Sequence, residues 1–268
     1  MEANNKWIEL GWRHPLWNIL RFYLSIRGKN QQAGWEGELR DNKTIMIGDG
    51  QELPVLQDHI DLLFEYLTVR EKLFNIASSQ LRNEDEALQF CADQNIIVGK
   101  TTTKNKDHHQ ASKAMIAAVS GLARKVCHEH NITLEPDPQK RCIWCKDEEL
   151  QVTARNLDGA VPGLVNPYAI WEIKEYWGKT KGGSKMSDAV YECQLVGYEL
   201  LDYTARSKQN IHHIVFLDGK KQWSYRKSDM KRFLDLLNQG LIDHLIIGNE
   251  VENAWEPLLN SIIAEQNQ

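Results

Sequence analysis

The stretch that decides the fold runs from Leu157 to Tyr198 and reads LDGAVPGLVNPYAIWEIKEYWGKTKGGSKMSDAVYECQLVGY. Asp158 is predicted to lie on a turn before an apolar strand that carries Glu172 and Lys174. Alternate residues of a strand share a face, so these two side chains point the same way, about 6.5–7 Å apart along the chain. A carboxylate and an ammonium within an apolar strand are costly to bury unless they are paired, solvated or bound to a metal. The pattern therefore indicates a functional site on a central strand.

A helix is predicted after this strand, from Ser187 to about Tyr203. It carries Gln194 and Tyr198, whose i, i+4 spacing puts both side chains on one face. We expect this face to look back at the charged residues of the strand. Glu192, on the same helix, is a further acid expected near the site.

A loop rich in glycine and lysine lies between the predicted strand and the predicted helix. Its basic residues are Lys179, Lys181 and Lys185. Contacts with phosphate groups require clustered lysine and arginine, so we expect these side chains to bind nucleic acid. A solvated loop is the alternative interpretation, and it is the one we favour for a second lysine cluster between Gly99 and Lys106.

The order of these motifs resembles the PD-(D/E)xK nuclease superfamily. Asp158 stands before the strand, Glu172-Ile173-Lys174 lies within it, and a helix and a β-rich segment follow, so that the resemblance covers roughly residues 110–220. Gln194 and Tyr198 reproduce the QxxxY motif of RecB-like members. The subfamily stays open, because RecB-like enzymes usually have Asp where Glu172 stands. The resemblance implies a restriction-endonuclease-like α/β core, with a central mixed sheet flanked by helices.

The resemblance also implies metal-dependent chemistry. Asp158, Glu172 and the carbonyl of Ile173 would hold one or two Mg²⁺ ions, with Mn²⁺ as a substitute, since hard cations take oxygen ligands. Lys174 would orient the attacking water or stabilise the transition state. Gln194 would position the lysine, the water or a phosphate. The supporting residues would be Tyr198 and Glu192.

The function expected from this resemblance is that of a Mg²⁺-dependent endodeoxyribonuclease that hydrolyses DNA phosphodiester bonds. The protein would act in restriction-modification or in antiviral (phage) defence. Because cutting both strands of a duplex normally calls for two sites, we expect a symmetric homodimer or a subunit of a defence complex. The alternative is a catalytically inactive nucleic-acid-binding or assembly module on the same fold.

Composition sets broad limits on the class of protein. The 268 residues are 42% hydrophobic and 26% charged, as in ordinary globular proteins. The net charge of −5 speaks against a protein that coats nucleic acid nonspecifically, but it allows a local basic cleft. No apolar run approaches the roughly 18 residues of a membrane span, and the N-terminus lacks the layout of a signal peptide. We therefore expect a cytoplasmic protein without a membrane partner.

The cysteines suggest a second type of site. Their number, five, is odd, which suits a reducing compartment. Cys142 and Cys145 have the two-residue gap of a zinc knuckle. The further candidate ligands are Cys127, His128 and His130. Buried free cysteines in a strand are the alternative, and on that interpretation we expect no structural Zn²⁺.

Two regions are predicted along the chain. Residues 1–105 form a mainly helical N-terminal region for recognition or dimerisation, and residues 106–268 form the nuclease core. Helices are predicted after Pro15 and over Pro54–Ala77, Glu84–Asp93, Gln110–His130, Ser187–Tyr203 and Ser228–Gln239. Strands are predicted near Arg141–Trp144, Leu150–Asn156, Ala169–Trp177, Ile211–Leu217 and His244–Ile247. Loops or turns are predicted over Gly28–Gly50, Lys100–His109 and Glu135–Lys140.

Overall fold

The computed structural model describes residues 1, 4–26, 28–100, 111–178 and 184–266. Most of the loop predicted over residues 100–109 therefore lies outside the described part. The helices are α1 (Asn5–Leu10), α2 (Pro15–Ser25), α3 (Lys29–Asn42), α4 (Gln57–Gln80), α5 (Glu84–Asp93), α6 (Ala114–Glu129), α7 (Ser184–Ser207), α8 (Lys220–Tyr225), α9 (Lys227–Asn238) and α10 (Val251–Gln266). The strands are β1 (Thr44–Ile47), β2 (Gln51–Pro54), β3 (Glu135–Lys140), β4 (Ile143–Lys146), β5 (Glu149–Val152), β6 (Leu157–Val161), β7 (Ala169–Glu175), β8 (His212–Asp218) and β9 (His244–Ile247).

A mixed sheet lies at the centre of the described structure, with the strand order β3-β6-β7-β8-β9. β3, β6 and β7 pair antiparallel, while β7, β8 and β9 pair parallel. Helices α5, α6 and α10 pack on one face, where they share a hydrophobic cluster with Trp171 and Phe216. Helices α7 and α9 contribute to the clusters on the other face, with Ile170 and Val215. The predicted α/β class with a mixed sheet between helices is confirmed.

Strand β7 is buried on both faces because it lies in the middle of this sheet. Trp171 and Ile173 belong to the cluster under α6 and α10. Ile170 belongs to the cluster under α7, and alternation places Glu172 and Lys174 on that same face. A parallel strand that is covered on both faces reads as a nearly continuous apolar run, so the two charged residues stand out in the sequence.

Two predictions for the segments around the sheet are wrong. Residues 135–140, predicted as a turn because of their prolines, form the edge strand β3. An edge strand tolerates Pro136 and Pro138 because its outer side has no neighbouring strand that needs a backbone N–H donor. The register of β3 against β6 also shifts between Pro136 and Lys140. Asp158, predicted on a turn, lies inside β6. The strands predicted near Arg141–Trp144 and Leu150–Asn156 are present as β4 and β5, which form a separate hairpin outside the central sheet.

The N-terminal region contains more regular structure than the sequence predicted. The loop expected over residues 28–50 is largely helix α3, followed by β1 of a small hairpin with β2. Glycine and asparagine in α3 lower its helix propensity, which explains the error. Trp35 and Leu39 on this helix are buried against α2 and α4, and this packing outweighs the weak propensity. The helices predicted after Pro15 and over Pro54–Ala77 are present as α2 and α4.

Helix α4 links the N-terminal helices to the sheet region. Arg70 donates to both carboxylate oxygens of Asp235 on α9, at 2.7 Å each, and Tyr66 donates to the same carboxylate at 2.8 Å. Further along α4, Phe74 and Ala77 join the cluster under α7 and α9. The division predicted at residue 105 stays a prediction. No described helix combines the length and the apolar character needed to cross a bilayer.

We expect Gly159→Ala to destabilise the fold, because a Cβ at this position of β6 would overlap the buried indole of Trp171. Overpacking of this kind reduces the free energy of unfolding by about 1–3 kcal/mol. Urea denaturation of the purified variant measures the change. The matched control is Gly163→Ala, whose Cβ would meet no atom closer than Glu135 Cγ at 4.0 Å. Equal stability of the two variants would contradict this account of the β6–β7 contact.

Candidate active site

The candidate site lies where strands β6 and β7 separate. Their paired register ends at Gly159 and Trp171. Asp158 on β6 and Glu172 on β7 each lie one residue beyond that pair. The next amide of β7, at Ile173, donates at 2.7 Å to the Asp158 carboxylate instead of to a strand partner. The end of the β6–β7 pairing therefore leaves room for side chains. The Asp158 carboxylate accepts the Ile173 N–H in place of a backbone carbonyl oxygen of β6.

Asp158 is held from two strands. Its Oδ2 accepts the Ile173 amide, and its Oδ1 accepts the side-chain amide of Gln139 on β3 at 2.7 Å. Burial raises the pKa of Asp158, and the hydrogen bond from the Ile173 amide opposes that rise. The carboxylate is thus fixed in direction but poorly solvated, which leaves it open to stabilisation by a cation.

Glu172 is fully buried, with 0% of its surface exposed. Its Oε2 accepts Lys174 Nζ at 2.8 Å. Its Oε1 has no hydrogen-bond partner among the described residues. Burial opposes ionisation, but the Lys174 ammonium outweighs it and holds the pKa of Glu172 well below its usual range. The residue is therefore a buried carboxylate with Lys174 on one oxygen and the His213 ring, 3.5 Å away, beside the other.

Lys174 bridges two carboxylates. Besides Glu172, its Nζ donates to Glu192 Oε2 on α7 at 2.9 Å. Burial disfavours the ammonium, but the Glu172 carboxylate outweighs this effect and raises the pKa of Lys174 above its usual range. The side chain is 6% exposed and stays charged. Glu192, which the sequence named as an acid near the site, contacts Lys174 directly.

Arg155 is a site residue that the sequence reasoning missed. It lies between β5 and β6, with Nε 3.4 Å from Glu172 Oε2, and its guanidinium also pairs with Glu192. Two cations therefore face two carboxylates. Arg155 and Glu192 are partly exposed, so the cluster opens to solvent on their side. A signal was present, since Arg155 stands three residues before Asp158 in the sequence.

His213 and Cys193 are two further neighbours of Glu172 that were missed. His213, on β8, is 1% exposed, and its Nε2 lies 3.5 Å from Glu172 Oε1. Cys193, on α7, is buried, and burial together with the Glu172 carboxylate raises the pKa of its thiol well above the usual value. Their proximity depends on which strand and which helix lie beside β7. The local sequence of β8 gave no sign of it.

The expectation that Gln194 and Tyr198 face the carboxylates is wrong. The Gln194 amide donates to the Tyr198 hydroxyl at 3.0 Å, and the Tyr198 ring packs against Trp12 with centroids 4.8 Å apart. Gln194 lines a cavity of about 410 Å³ beside α2 and α9. Successive helical residues are rotated by about 100°, so this flank of α7 lies roughly opposite the flank that carries Glu192.

The lysines predicted to bind nucleic acid are only partly described. Lys179 and Lys181 lie outside the described residues. Lys185 is exposed at the start of α7, with its Nζ 5.6 Å from the centroid of the Tyr176 ring. An exposed cation at this position is accessible to a phosphate group approaching that end of α7.

The zinc candidates are dispersed. Cys142 is buried under α7, and burial raises the pKa of its thiol to about 12. Cys127 lies in the cluster on the opposite face of the sheet, and Cys145 is exposed. Across the described residues, no three His, Cys, Asp or Glu side chains converge closely enough to hold a metal ion.

Glu175 lies on the same strand as Glu172, but its pKa is shifted upward whereas that of Glu172 is shifted downward. It faces α6, where its Oε2 accepts the Met115 amide at 2.8 Å and Trp177 Nε1 at 3.0 Å. Burial raises the pKa of Glu175 to about 8, against the lowering effect of these hydrogen bonds. At neutral pH this carboxyl group is largely protonated, so it is not available as an anionic ligand.

We expect Glu175→Gln to change how stability depends on pH. From about pH 4.5 to about pH 8, the unfolded wild type releases a proton that the folded protein retains, so its free energy of unfolding falls as the pH rises. The glutamine variant lacks this contribution and should gain stability relative to wild type from pH 5 to pH 8.5. Chemical denaturation at several pH values measures the difference. The exposed Glu148→Gln serves as control, and parallel curves for all three proteins would contradict the shift.

Comparison with known proteins gives a family but no function. Residues 78–262 match the family described as a domain of unknown function, DUF7687. Curated proteins and solved structures give no match. The matched segment covers more than half of the chain and includes β6, β7 and α7, which carry the carboxylates and the lysine. The chain therefore belongs to the DUF7687 family.

Proposed function

We propose that this protein is a Mg²⁺-dependent nuclease that hydrolyses DNA phosphodiester bonds on a restriction-endonuclease-like core. The observation that carries the proposal is the state of Glu172. It is a fully buried carboxylate with Lys174 on one oxygen and only the His213 ring, at 3.5 Å, near the other. A buried acceptor without a close hydrogen-bond donor is expensive, and binding of a cation would remove that cost.

The position of Asp158 supports the same interpretation. It stands one residue past the last β6–β7 pair, as Glu172 does, and both side chains lie on the face covered by α7. Asp158, Glu172 and the Ile173 carbonyl would hold the ion. Bound Mg²⁺ would supply the Lewis acid that activates water and offsets the charge that builds on the scissile phosphate. Mn²⁺ would substitute for it, because it takes the same oxygen ligands.

Lys174 has the charge and the place for a role in the transition state. Its ammonium is buried, stays protonated and lies 2.8 Å from Glu172 Oε2. In hydrolysis, a bond forms from the water oxygen to phosphorus while the bond to the leaving sugar oxygen breaks, and that oxygen takes up a proton. A fixed ammonium beside this centre stabilises the negative charge without having to reorganise.

Arg155 and Glu192 form the open side of the cluster. Arg155 pairs with Glu192, and both side chains keep contact with water. An arginine whose partner is a partly exposed glutamate can exchange that partner for a phosphate, because its planar fork matches the oxygens of either group. We infer that Arg155 binds the DNA backbone beside the scissile bond, together with Lys185 at the start of α7.

Gln194 and Tyr198 serve a different purpose in this proposal. Their side chains bond to each other and lie on the flank of α7 near Trp12 and the N-terminal helices. They would fix the helix that carries Glu192 and so act on the site through its position. The QxxxY spacing thus supports membership of the superfamily without supplying a group to the chemistry.

Biological role and assembly follow from the activity. A nuclease that cuts both strands of a duplex fits a symmetric homodimer or a subunit of a defence complex, acting in restriction or antiviral defence. The second candidate function is a catalytically inactive nucleic-acid-binding or assembly module. It is favoured by one feature: Lys174 and Arg155 already neutralise Glu172 and Glu192.

Cleavage assays separate the two functions. Supercoiled plasmid and single-stranded DNA should be cut with Mg²⁺ and left intact with EDTA. Asp158→Asn and Glu172→Gln should each abolish cutting, because the neutral amides no longer stabilise a divalent cation. The amides keep an acceptor oxygen for the Ile173 amide and the Lys174 ammonium, so the fold should persist. The proposal fails if either variant retains wild-type activity.

The control for these variants is Glu199→Gln. Glu199 lies on the same helix as Glu192 and accepts the Ala154 amide at 3.1 Å, outside the carboxylate–cation cluster. This variant should cut DNA at the wild-type rate. Wild-type protein that binds DNA in a gel-shift assay but cuts no nucleic acid with Mg²⁺ or Mn²⁺ would favour the inactive module.

Lys174 variants test the assignment of that residue. Lys174→Ala should lower the cleavage rate by a factor on the order of 10²–10³, because it removes a charge that acts mainly in the transition state. DNA affinity with Ca²⁺ in place of Mg²⁺ should change little. Lys174→Arg keeps the charge beside Glu172 and so controls for folding, but its planar fork should not restore full activity. If affinity and rate fall in proportion, Lys174 is a phosphate anchor and has no special role in the transition state.

A further inference from the structure

The β4–β5 hairpin has an apolar face that is open to solvent in the described part of the chain. Its register pairs Ile143 with Val152 and Cys145 with Leu150. Alternate residues of a strand share a face, so these four side chains point the same way. The exposed fraction is 64% for Leu150 and 37% for both Ile143 and Val152. Cys145 is exposed as well.

The opposite face of the hairpin packs against the core. Cys142 and Trp144 alternate with the exposed residues of β4 and are buried in one cluster with Val196 of α7. An antiparallel pair that turns one face to the core usually carries polar side chains on the other face. The outer face departs from this pattern, so its apolar residues call for a partner.

Residues 164–166 lie beside β4 and widen the outer face. The Ile143 amide donates to the Leu164 carbonyl at 2.8 Å, and the Asn166 amide donates to the Ile143 carbonyl at 2.7 Å. Val165 forms a parallel bridge with Ile143 and is 62% exposed. Contiguous exposed apolar side chains mark interaction sites, whereas single ones are ordinary. The hairpin face, as we call this surface, consists of Ile143, Cys145, Leu150, Val152 and Val165.

The base of the hairpin face is positive. Cys142 and Thr153 extend the β4–β5 pairing by one row, because the Thr153 amide donates to the Cys142 carbonyl at 3.0 Å. Arg141 is the next residue in the alternation and is exposed, which places it on the outer side. Lys140 beside it is exposed too. The charge of Arg141 also acts on Glu199 of α7, but over a longer distance than an ion pair.

The turn of the hairpin is negative. Asp147 and Glu148 are both exposed there, and Glu149 follows them. Glu149 pairs with Arg206 of α7, and Lys146 donates to a carbonyl oxygen of the same helix, so these side chains are held on the inner side. Asp147 and Glu148 remain as outward acids. The hairpin face is therefore apolar in the middle, with cations at one end and anions at the other.

We propose that the hairpin face binds the same face of a second copy of this chain. In a symmetric face-to-face dimer the two-fold axis lies in the plane of contact, either along the strands or across them. An axis along the strands would place turn on turn and base on base, where like charges repel. An axis across the strands places the turn of each copy over the base of the other. Asp147 of one copy then faces Arg141 of the second, and the contact occurs twice.

The charge pattern favours a second copy over other occupants. The acidic turn repels the phosphates of DNA and of anionic lipid headgroups, whereas the reversed hairpin of a second copy matches both ends. The inference extends the proposed function, on which its use in double-strand cleavage rests. β5 ends at Val152, three residues before Arg155 of the candidate site. Each copy therefore holds its carboxylate–cation cluster close to the interface, as cutting of both strands requires.

Cys145 reports on the interface without any substitution. It is exposed, whereas the other four cysteines of the chain are buried. Sedimentation of wild-type protein should show a dimer and give its dissociation constant. The dimer should cover the Cys145 thiol, so its reaction with a maleimide should be about tenfold slower at 100 times that constant than at high dilution, by mass action.

Leu150→Glu should weaken dimerisation by a factor on the order of 100, because a carboxylate without a partner would be buried in the interface. The maleimide reaction of this variant should be fast at every protein concentration. The matched control is Leu56→Glu, since Leu56 is 66% exposed in the N-terminal region, close to the 64% of Leu150. That variant should dimerise and protect Cys145 as the wild type does, and circular dichroism checks the fold of both.

Reversal of charges tests the orientation of the two copies. Arg141→Glu and Asp147→Lys should each weaken dimerisation by a factor on the order of 10, because each places like charges opposite one another. The variant that combines both changes should recover most of the affinity. Lysine is acceptable at the left-handed backbone conformation of Asp147, since Lys43 and Lys208 adopt it in this chain. Failure of the combined variant to recover would overturn the antiparallel arrangement.

The outcomes separate this inference from the proposed function. Wild-type protein that stays monomeric, or a dimer that survives Leu150→Glu with a reactive Cys145, overturns the assigned interface. Mg²⁺-dependent cutting by such a protein would still support the nuclease. A dimer that meets every expectation above but cuts no nucleic acid supports the interface and overturns the nuclease. If both proposals hold, wild-type protein should linearise plasmid, whereas Leu150→Glu should mainly nick it.

Discussion

The ion pair of Glu172 and Lys174 constrains everything around strand β7. Both groups sit in a strand that is buried on both faces, where an isolated charge would be strongly destabilising. Each is tolerated because it faces the other at 2.8 Å, and the remaining contacts of the pair reach β8, α7 and the segment before β6. The pair therefore determines what can lie beside it: Arg155 and Glu192 on the solvent side, and His213 on the inner side.

Helix α7 connects this pair to the N-terminal region because its two flanks contact different parts of the molecule. One flank carries Glu192 to Lys174, and the residues beside it cover the sheet. The other flank carries Tyr198 to Trp12 in the N-terminal region. Gly197 lets the helix approach the backbone of Leu241, where any Cβ would overlap the carbonyl. Since that carbonyl also orients His213, the packing of the helix and the direction of the imidazole depend on the same close contact.

Sequence reasoning succeeded where the signal was local. Glu172 and Lys174 stand out as charges in an apolar run, and most of the predicted helices follow from apolar periodicity. It failed where the answer depends on which strands are neighbours. His213 reaches Glu172 only because β8 lies beside β7, and nothing near it in the sequence gives that order. Gln194 was placed on the wrong flank because an i, i+4 spacing shows that two residues share a face but not which neighbour that face contacts.

Strand β7 also shows how one segment gives two carboxyl groups opposite states. Glu172 and Glu175 are three residues apart and therefore lie on different faces of the sheet. On the α7 face a lysine and an arginine keep Glu172 ionised, whereas on the α6 face burial with only neutral donors raises the pKa of Glu175 to about 8. The α7 face thus holds an ionised carboxylate paired with Lys174 and Arg155, and the α6 face holds a largely neutral acid. Under the proposed function, this asymmetry assigns the metal to the α7 face, where the Ile173 amide also holds Asp158.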